Sequence, residues 1–252
     1  MTPWLFAILF ATGLVAGFVD SIAGGGGLIT IPVLLNLGLP PQLALGTNKL
    51  QATFGSSSAM WHYHRAGLID FASCRLGIGC TFIAATLGSL LVNRLPPDLL
   101  RHSIPWLLIT ITLYLLFQPK LGEADLHPRL DRELFQIVFG LLLGFYDGFF
   151  GPGTGTFWAM AYMLGLGYNM TKATAYTKVM NCTSNVASLL VFGLAGQALL
   201  GAGLCMGAGQ LLGARLGSKV VIRRGTKFIR PVFIVVVLAI TGRLLWRNFA
   251  TR

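Results

Sequence analysis

Gly17-Phe-Val-Asp-Ser-Ile-Ala-Gly-Gly-Gly-Gly27 and Gly144-Phe-Tyr-Asp-Gly-Phe-Phe-Gly-Pro-Gly-Thr-Gly155 are two copies of one pattern. In each, a long apolar run reaches an aspartate and then a glycine-rich break. Asp20 and Asp147 lie 127 residues apart, and Leu37-Gly38 recurs at the same offset as Leu164-Gly165. Further on the offset becomes 129: Lys49 matches Lys178, Ala66-Gly67 matches Ala195-Gly196, and Arg101 matches Arg230. The chain reads as two homologous halves, residues 1–117 and 134–252, joined by a connecting loop, residues 118–133. That loop region holds Glu123, Asp125, Asp131 and Glu133.

Composition sets the class. The 252 residues are 54% hydrophobic and only 11% charged, against about 25% charged in soluble domains. Mean hydropathy is +0.71. Apolar runs of nearly bilayer-spanning length recur at 4–19, 76–92, 104–117 and 228–245, where a helix needs about 20 residues to cross. The expectation is an all-α, polytopic helical membrane protein, with the lipid bilayer as its surroundings and no soluble domain between spans. Continuous rather than alternating apolar stretches argue against a β-barrel. The first run lacks a basic leader and passes straight into Gly17, so it reads as a retained span.

The net charge of +11 comes largely from loop residues such as Lys219, Arg223, Arg224, Lys227 and Arg230. That pattern points to membrane sorting rather than to nucleic acid. Cys74, Cys80, Cys182 and Cys205 are scattered and read as small packing residues. His62 and His64 are two apart and fall on different helical faces. No metal or cofactor is expected.

Each half divides into five apolar segments: about 4–22, 28–38, 43–64, 72–93 and 102–117, then about 134–150, 155–166, 172–194, 198–217 and 229–247. The short second segment of each half is compatible with a tilted crossing, a half-helix or a re-entrant piece. An inverted arrangement places twelve Lys and Arg on one side and five on the other, the asymmetry of positive-inside sorting. The expectation is therefore about eight full spans plus two short or broken segments, in inverted repeats. Both termini are expected on the outer side of a membrane crossed several times.

The breaks point to a site. Four consecutive glycines cost a helix about 1 kcal/mol each, and Pro152 removes a donor. Unwound backbone in a bilayer must line a cavity or be buried in protein. Broken segments at matching places in two halves are the pattern of a transporter site, and freed N–H groups favour anions. The candidate substrate-binding residues are Gly24, Gly25, Gly26, Gly27, Gly151, Gly153, Thr154 and Gly155 at the breaks. Lys49 and Lys178 join them, flanked by Asn48 and Thr177. Lys178, Asn181 and Asn185 share a helical face, matched by Lys49, Thr53 and Ser56. Asp20 and Asp147 are candidates for pairing with the lysines, for helix capping, or for proton coupling. Scattered glycines such as Gly77, Gly88 and Gly213 read as close helix packing.

These blocks, with Gly46-Thr-Asn-Lys-Leu-Gln51, Ala173-Thr-Ala-Tyr-Thr-Lys-Val-Met-Asn-Cys-Thr-Ser-Asn185 and Gln210-Leu-Leu-Gly-Ala-Arg-Leu-Gly-Ser218, resemble the TauE/SafE family of sulfite and organosulfonate exporters. The resemblance covers nearly the whole chain. It implies about eight spans and inner-membrane export of a small sulfur-containing anion such as sulfite or a sulfonate. The reading from residues and resemblance together is a secondary transporter working by alternating access. An anion channel, or a carrier for a different small organic anion, is the alternative. An enzyme is disfavoured, because no nucleophile–base or metal constellation is evident. The sequence leaves room for a homo-oligomer.

Overall fold

The computed structural model describes residues 3–116 and 127–224, and every regular element within them is helical. In order these are α1 (Pro3–Ala23), α2 (Gly26–Asn36), α3 (Pro41–Arg65), α4 (Arg75–Arg94), α5 (Pro97–Leu116), α6 (Arg132–Phe149), α7 (Thr154–Leu166), α8 (Met170–Leu194) and α9 (Leu200–Arg224), with a 3-10 turn at Ala72–Cys74 before α4. The tenth expected segment, 229–247, lies outside the described residues, as does most of the connecting loop.

Two boundaries differ from expectation. Helix α5 begins at Pro97 rather than near 102, because proline is well placed in a first turn, where its missing N–H costs nothing. Helix α9 runs on to Arg224 rather than stopping at 217. Gly217 is a packing residue: a Cβ there would lie 2.1 Å from Ser21 Oγ.

The short segments do not continue the helices before them. Gly26 packs against Asp20, and Leu34 shares a core cluster with Leu9, so α2 runs back along α1. Likewise Gly151 lies beside Asp147 and Gly165 beside Phe135, so α7 runs back along α6. The expected interrupted helix is thus a helical hairpin in each half. In the first, only Gly24 and Gly25 are non-helical; Gly26 and Gly27 open α2. Once Gly24, at φ +79°, has reversed the chain, the helix resumes. The N–H groups of its first turn lack intrahelical partners in any case.

Each hairpin's first helix packs most extensively on the fourth helix of the other half, α1 along α9 and α6 along α4. Glycines set these contacts. A Cβ would lie 2.1 Å from Met206 O at Gly13, 2.0 Å from Leu14 O at Gly213, 2.3 Å from Phe145 O at Gly88 and 2.0 Å from Ala85 O at Gly148. The close-packing expectation for Gly77, Gly88 and Gly213 agrees with this. Helices α3 and α8 cross the centre antiparallel. Gly46 lies against Gln197, Asn185 Nδ2 donates to Ser56 Oγ at 3.3 Å, and Asp70 N–H donates to Tyr176 Oη at 3.2 Å.

Polarity is turned inside out. Leu87, Leu142, Leu190 and Leu216 are exposed, whereas Lys49, Lys178, Asn48 and Gln51 are buried. That is the reverse of a water-soluble domain. Trp4–Ala23 and Ala72–Arg94 are long and apolar enough on their own to cross a membrane. Helices α3 and α8 have the length, 25 residues each, but spend one face on the buried polar stripe.

Candidate functional site

The hairpin tips meet at the centre in backbone contact. A Cβ at Gly24 would lie 2.5 Å from the Gly155 carbonyl carbon, and one at Gly155 would lie 2.6 Å from Gly24 Cα. Thr156 Oγ1 donates to Ala23 O at 2.7 Å across this contact. Within the second tip, Tyr146 Oη donates to Pro152 O at 2.6 Å. Gly151 and Gly153, at φ +96° and +81°, turn the chain where an L side chain would be strained.

The lysines and aspartates pair crosswise between the halves. Lys49 Nζ donates to Asp147 Oδ1 at 2.7 Å and also to Asp147 O. Lys178 Nζ donates to Asp20 Oδ2 at 3.0 Å and also to Asp20 O. Both lysines are almost fully buried, so neither reaches a lipid headgroup region. Each aspartate has a second role. Asp20 Oδ1 accepts from the first N–H of α2, on Gly26, at 3.2 Å, which is the capping expectation and the pairing expectation at once. Asp147 Oδ2 accepts from Ser184 Oγ.

This changes the expected role of the lysines. Two ammonium and two carboxylate groups sum to zero charge, so the site is not a bare cationic attractor. Each ammonium has three donors, two of them spent on its aspartate. Replacing a lysine alone would also leave a buried carboxylate unpaired, so a single substitution there is not a neutral probe of binding.

A small cavity of about 30 Å³ opens beside the tips, room for about two water molecules. It is lined by Asp20, Gly24, Gly26, Gly27, Asn48, Lys49, Asp147, Gly151, Gly153, Thr154, Gly155, Asn181 and Asn185. Sixteen residues were expected at the site, and Gly25, Thr177 and Lys178 do not line this cavity. Thr177 is buried with its hydroxyl on Ala173 O of its own helix, and Lys178 lies behind Asp20.

Two further lining residues, Ala52 and Gln210, escape sequence reasoning. Gln210 belongs to the quoted Gln210–Ser218 block, but its spacing to the lysines carries no signal until α9 packs on α1 and α3. Asn48 Oδ1 is tied to Thr30 and Gln51. Asn181 Oδ1 is buried and has no hydrogen-bond partner.

Neither α2 nor α7 has a side-chain cap from its N-cap residue, Gly25 or Gly153. Among the described residues, the N–H groups of Gly25, Gly27, Gly153 and Gly155 make no hydrogen bond within the protein. The open N-terminus of α7, the α2 N-terminus with Asp20 on its Gly26 N–H, one ammonium with a spare donor and the amides of Asn181 and Asn185 thus face one partly open space. Free N–H donors and an ammonium are the chemistry that favours a small oxyanion.

Comparison with known proteins agrees in kind. A family model described as "Sulfite exporter TauE/SafE" matches residues 9–244. The chain is 45% identical over 246 residues to a "Probable membrane transporter protein YfcA" of Escherichia coli K12, covering 98% of this chain and 91% of that protein. It is 46% identical over 242 residues to a "Probable membrane transporter protein" of Haemophilus influenzae, covering 96% and 95%. A "Sulfite exporter TauE/SafE family protein 3" of Arabidopsis thaliana is 33% identical over 99 residues, 38% of this chain and 21% of that protein. No solved structure matches at a significant level.

Proposed function

The chain belongs to the sulfite exporter TauE/SafE family of membrane transporters, and on that premise we propose that it is a secondary carrier exporting a small sulfur-containing anion, sulfite or an organosulfonate, across a bacterial inner membrane. The observation that carries this reading is the meeting of two helix N-termini, that of α7 open and that of α2 held by Asp20 alone, over a cavity bounded by crossed Lys–Asp pairs.

A sulfonate or sulfite head is compact and oxygen-rich. It accepts N–H bonds from Gly27, Gly153 and Gly155, and a charge-assisted bond from the spare donor of Lys49. The ion pairs keep the empty site electrically neutral, so it does not hold a permanent uncompensated charge in an apolar surrounding. The antiparallel relation of α3 and α8 supports inverted halves, and rocking of one half against the other then alternates access to a fixed central site. Because each ion pair joins one half to the other, the pairs couple binding to that motion.

The test is a thermal-shift titration of the detergent-purified protein with sulfite, thiosulfate, taurine, sulfoacetate and a carboxylate control. It is repeated in the paired variant Lys49→Gln/Asp147→Asn, which removes the ammonium without orphaning a carboxylate. Stabilisation by a sulfur anion that is lost in the paired variant is expected. Equal stabilisation in both proteins contradicts the site, and a response to the carboxylate alone contradicts the substrate class.

A further inference from the structure

The two ion pairs occupy matching positions, yet their surroundings differ. Asp147 is 6% exposed, and both its oxygens are filled, Oδ1 from Lys49 and Oδ2 from Ser184. Asp20 is 20% exposed and lines the cavity; its Oδ2 takes Lys178 and its Oδ1 takes only the Gly26 N–H at 3.2 Å. The repeat places Gly55 where Ser184 stands, so no hydroxyl is available to Asp20. The room at Gly55 is filled by the Gln210 amide, whose Oε1 lies 1.9 Å from where a Cβ would sit. Conversely Gly153, the counterpart of Gly26, donates nothing to Asp147. The N-terminus of α2 is therefore occupied by a tethered carboxylate, whereas that of α7 is open. Lys49 lines the cavity directly, while Lys178 meets it only behind Asp20.

We propose that Asp20, and not Asp147, is the proton-coupling residue of this carrier. The inference rests on the carrier reading above. The Asp20 carboxylate is an internal anion that competes with the transported anion for the α2 N-terminus and Lys178. When the substrate binds, a proton from water adds to an Asp20 carboxylate oxygen. The negative charge at that spot is removed, and the Gly26 N–H and one Lys178 donor pass to the substrate. Asp147, held by Ser184, stays ionised as the fixed counter-ion of Lys49.

The groups facing Asp20 are Lys178 from α8 and Tyr63 from α3, whose phenol donates to Ser21 O at 2.8 Å. Lys49 and Asp147 line the far side of the cavity. From α7 and α9 come Thr154, Gly155 and Gln210, none of which titrates. A proton taken up with the anion means that anion affinity rises as pH falls.

The test uses the full-length protein and methanesulfonate, which stays a monoanion throughout, so any pH dependence belongs to the protein. Calorimetry in buffers of different ionisation enthalpy reads the protons taken up per anion bound. For the unmodified protein, uptake of one proton and an affinity rising by up to about tenfold per unit fall in pH are expected by linkage. Asp20→Asn should bind with no proton uptake and a flat pH profile. Asp147→Asn should keep the pH dependence. Proton uptake that survives in Asp20→Asn overturns the proposal while leaving the carrier reading standing. No binding by the unmodified protein at any pH overturns the carrier reading and this proposal with it.

Should Asp147→Asn not fold, Ser184→Ala takes its place. The infrared carboxylic-acid band of the anion-bound protein at acidic pH then decides. The band should vanish in Asp20→Asn and persist in Ser184→Ala, and a band that persists in Asp20→Asn overturns the assignment.

Discussion

Lys49 and Lys178 are each bonded twice to one aspartate of the other half, so stability and function meet in the same four side chains. Removing one partner of a buried pair is far costlier than removing both. Lys49→Met should destabilise the protein by about 3–5 kcal/mol. Lys49→Met/Asp147→Leu should recover most of that loss yet bind no anion. Thermal unfolding in detergent, read beside anion titration, checks both. Ser184→Ala should cost about 1–3 kcal/mol, because it leaves Asp147 Oδ2 short of a donor. The repeat of lysine and aspartate was legible in the sequence. Their crossed pairing was not, since spacing within one half does not say which half supplies the partner. Gln210 was invisible for a similar reason: it reaches the site through the packing of α9 on both α1 and α3.

The hairpins carry the proposed site, and their tips are held by glycines with two different jobs. Gly24 combines a positive φ with backbone contact to Gly155, so Gly24→Ala meets a strained conformation, costing about 1–2 kcal/mol, and a steric overlap together. Gly155→Ala has ordinary helical backbone but the same overlap against Gly24 Cα. Both should abolish transport, and Gly24→Ala should be the less stable of the two in unfolding measurements. Gly38→Ala is the control: its φ is +81°, but nothing lies within 4 Å of a Cβ there. It should lose about as much stability from strain alone and keep activity. The glycine runs announced a break in the right places. They did not announce a reversal, because a glycine run is equally compatible with an unwound crossing and with a turn. The direction of α2 and α7 is decided by what they pack on, Leu34 beside Leu9 and Gly165 beside Phe135.

For the whole molecule, the hairpins decide how the halves are related. In the proposed arrangement each hairpin leaves and returns on one side, and α3, α4 and α5 are the full segments that remain in the first half. That odd number is what the proposed inversion requires, in keeping with antiparallel α3 and α8. The loop residues make a direct prediction. In a cysteine-free background, Ala66→Cys should be labelled from the cytoplasmic side by a membrane-impermeant maleimide, and Asn36→Cys and Ala195→Cys from the opposite side. Labelling of Ala66→Cys and Ala195→Cys from the same side would contradict inversion, because they hold corresponding positions in the two halves. The central claim, that a sulfur anion crosses through the hairpin-tip site, is tested most directly by flux. Protein reconstituted in liposomes loaded with sulfite should release it with saturable kinetics, and Lys49→Gln/Asp147→Asn should release it no faster than protein-free liposomes. Release by that variant at the rate of the unmodified protein would contradict the account.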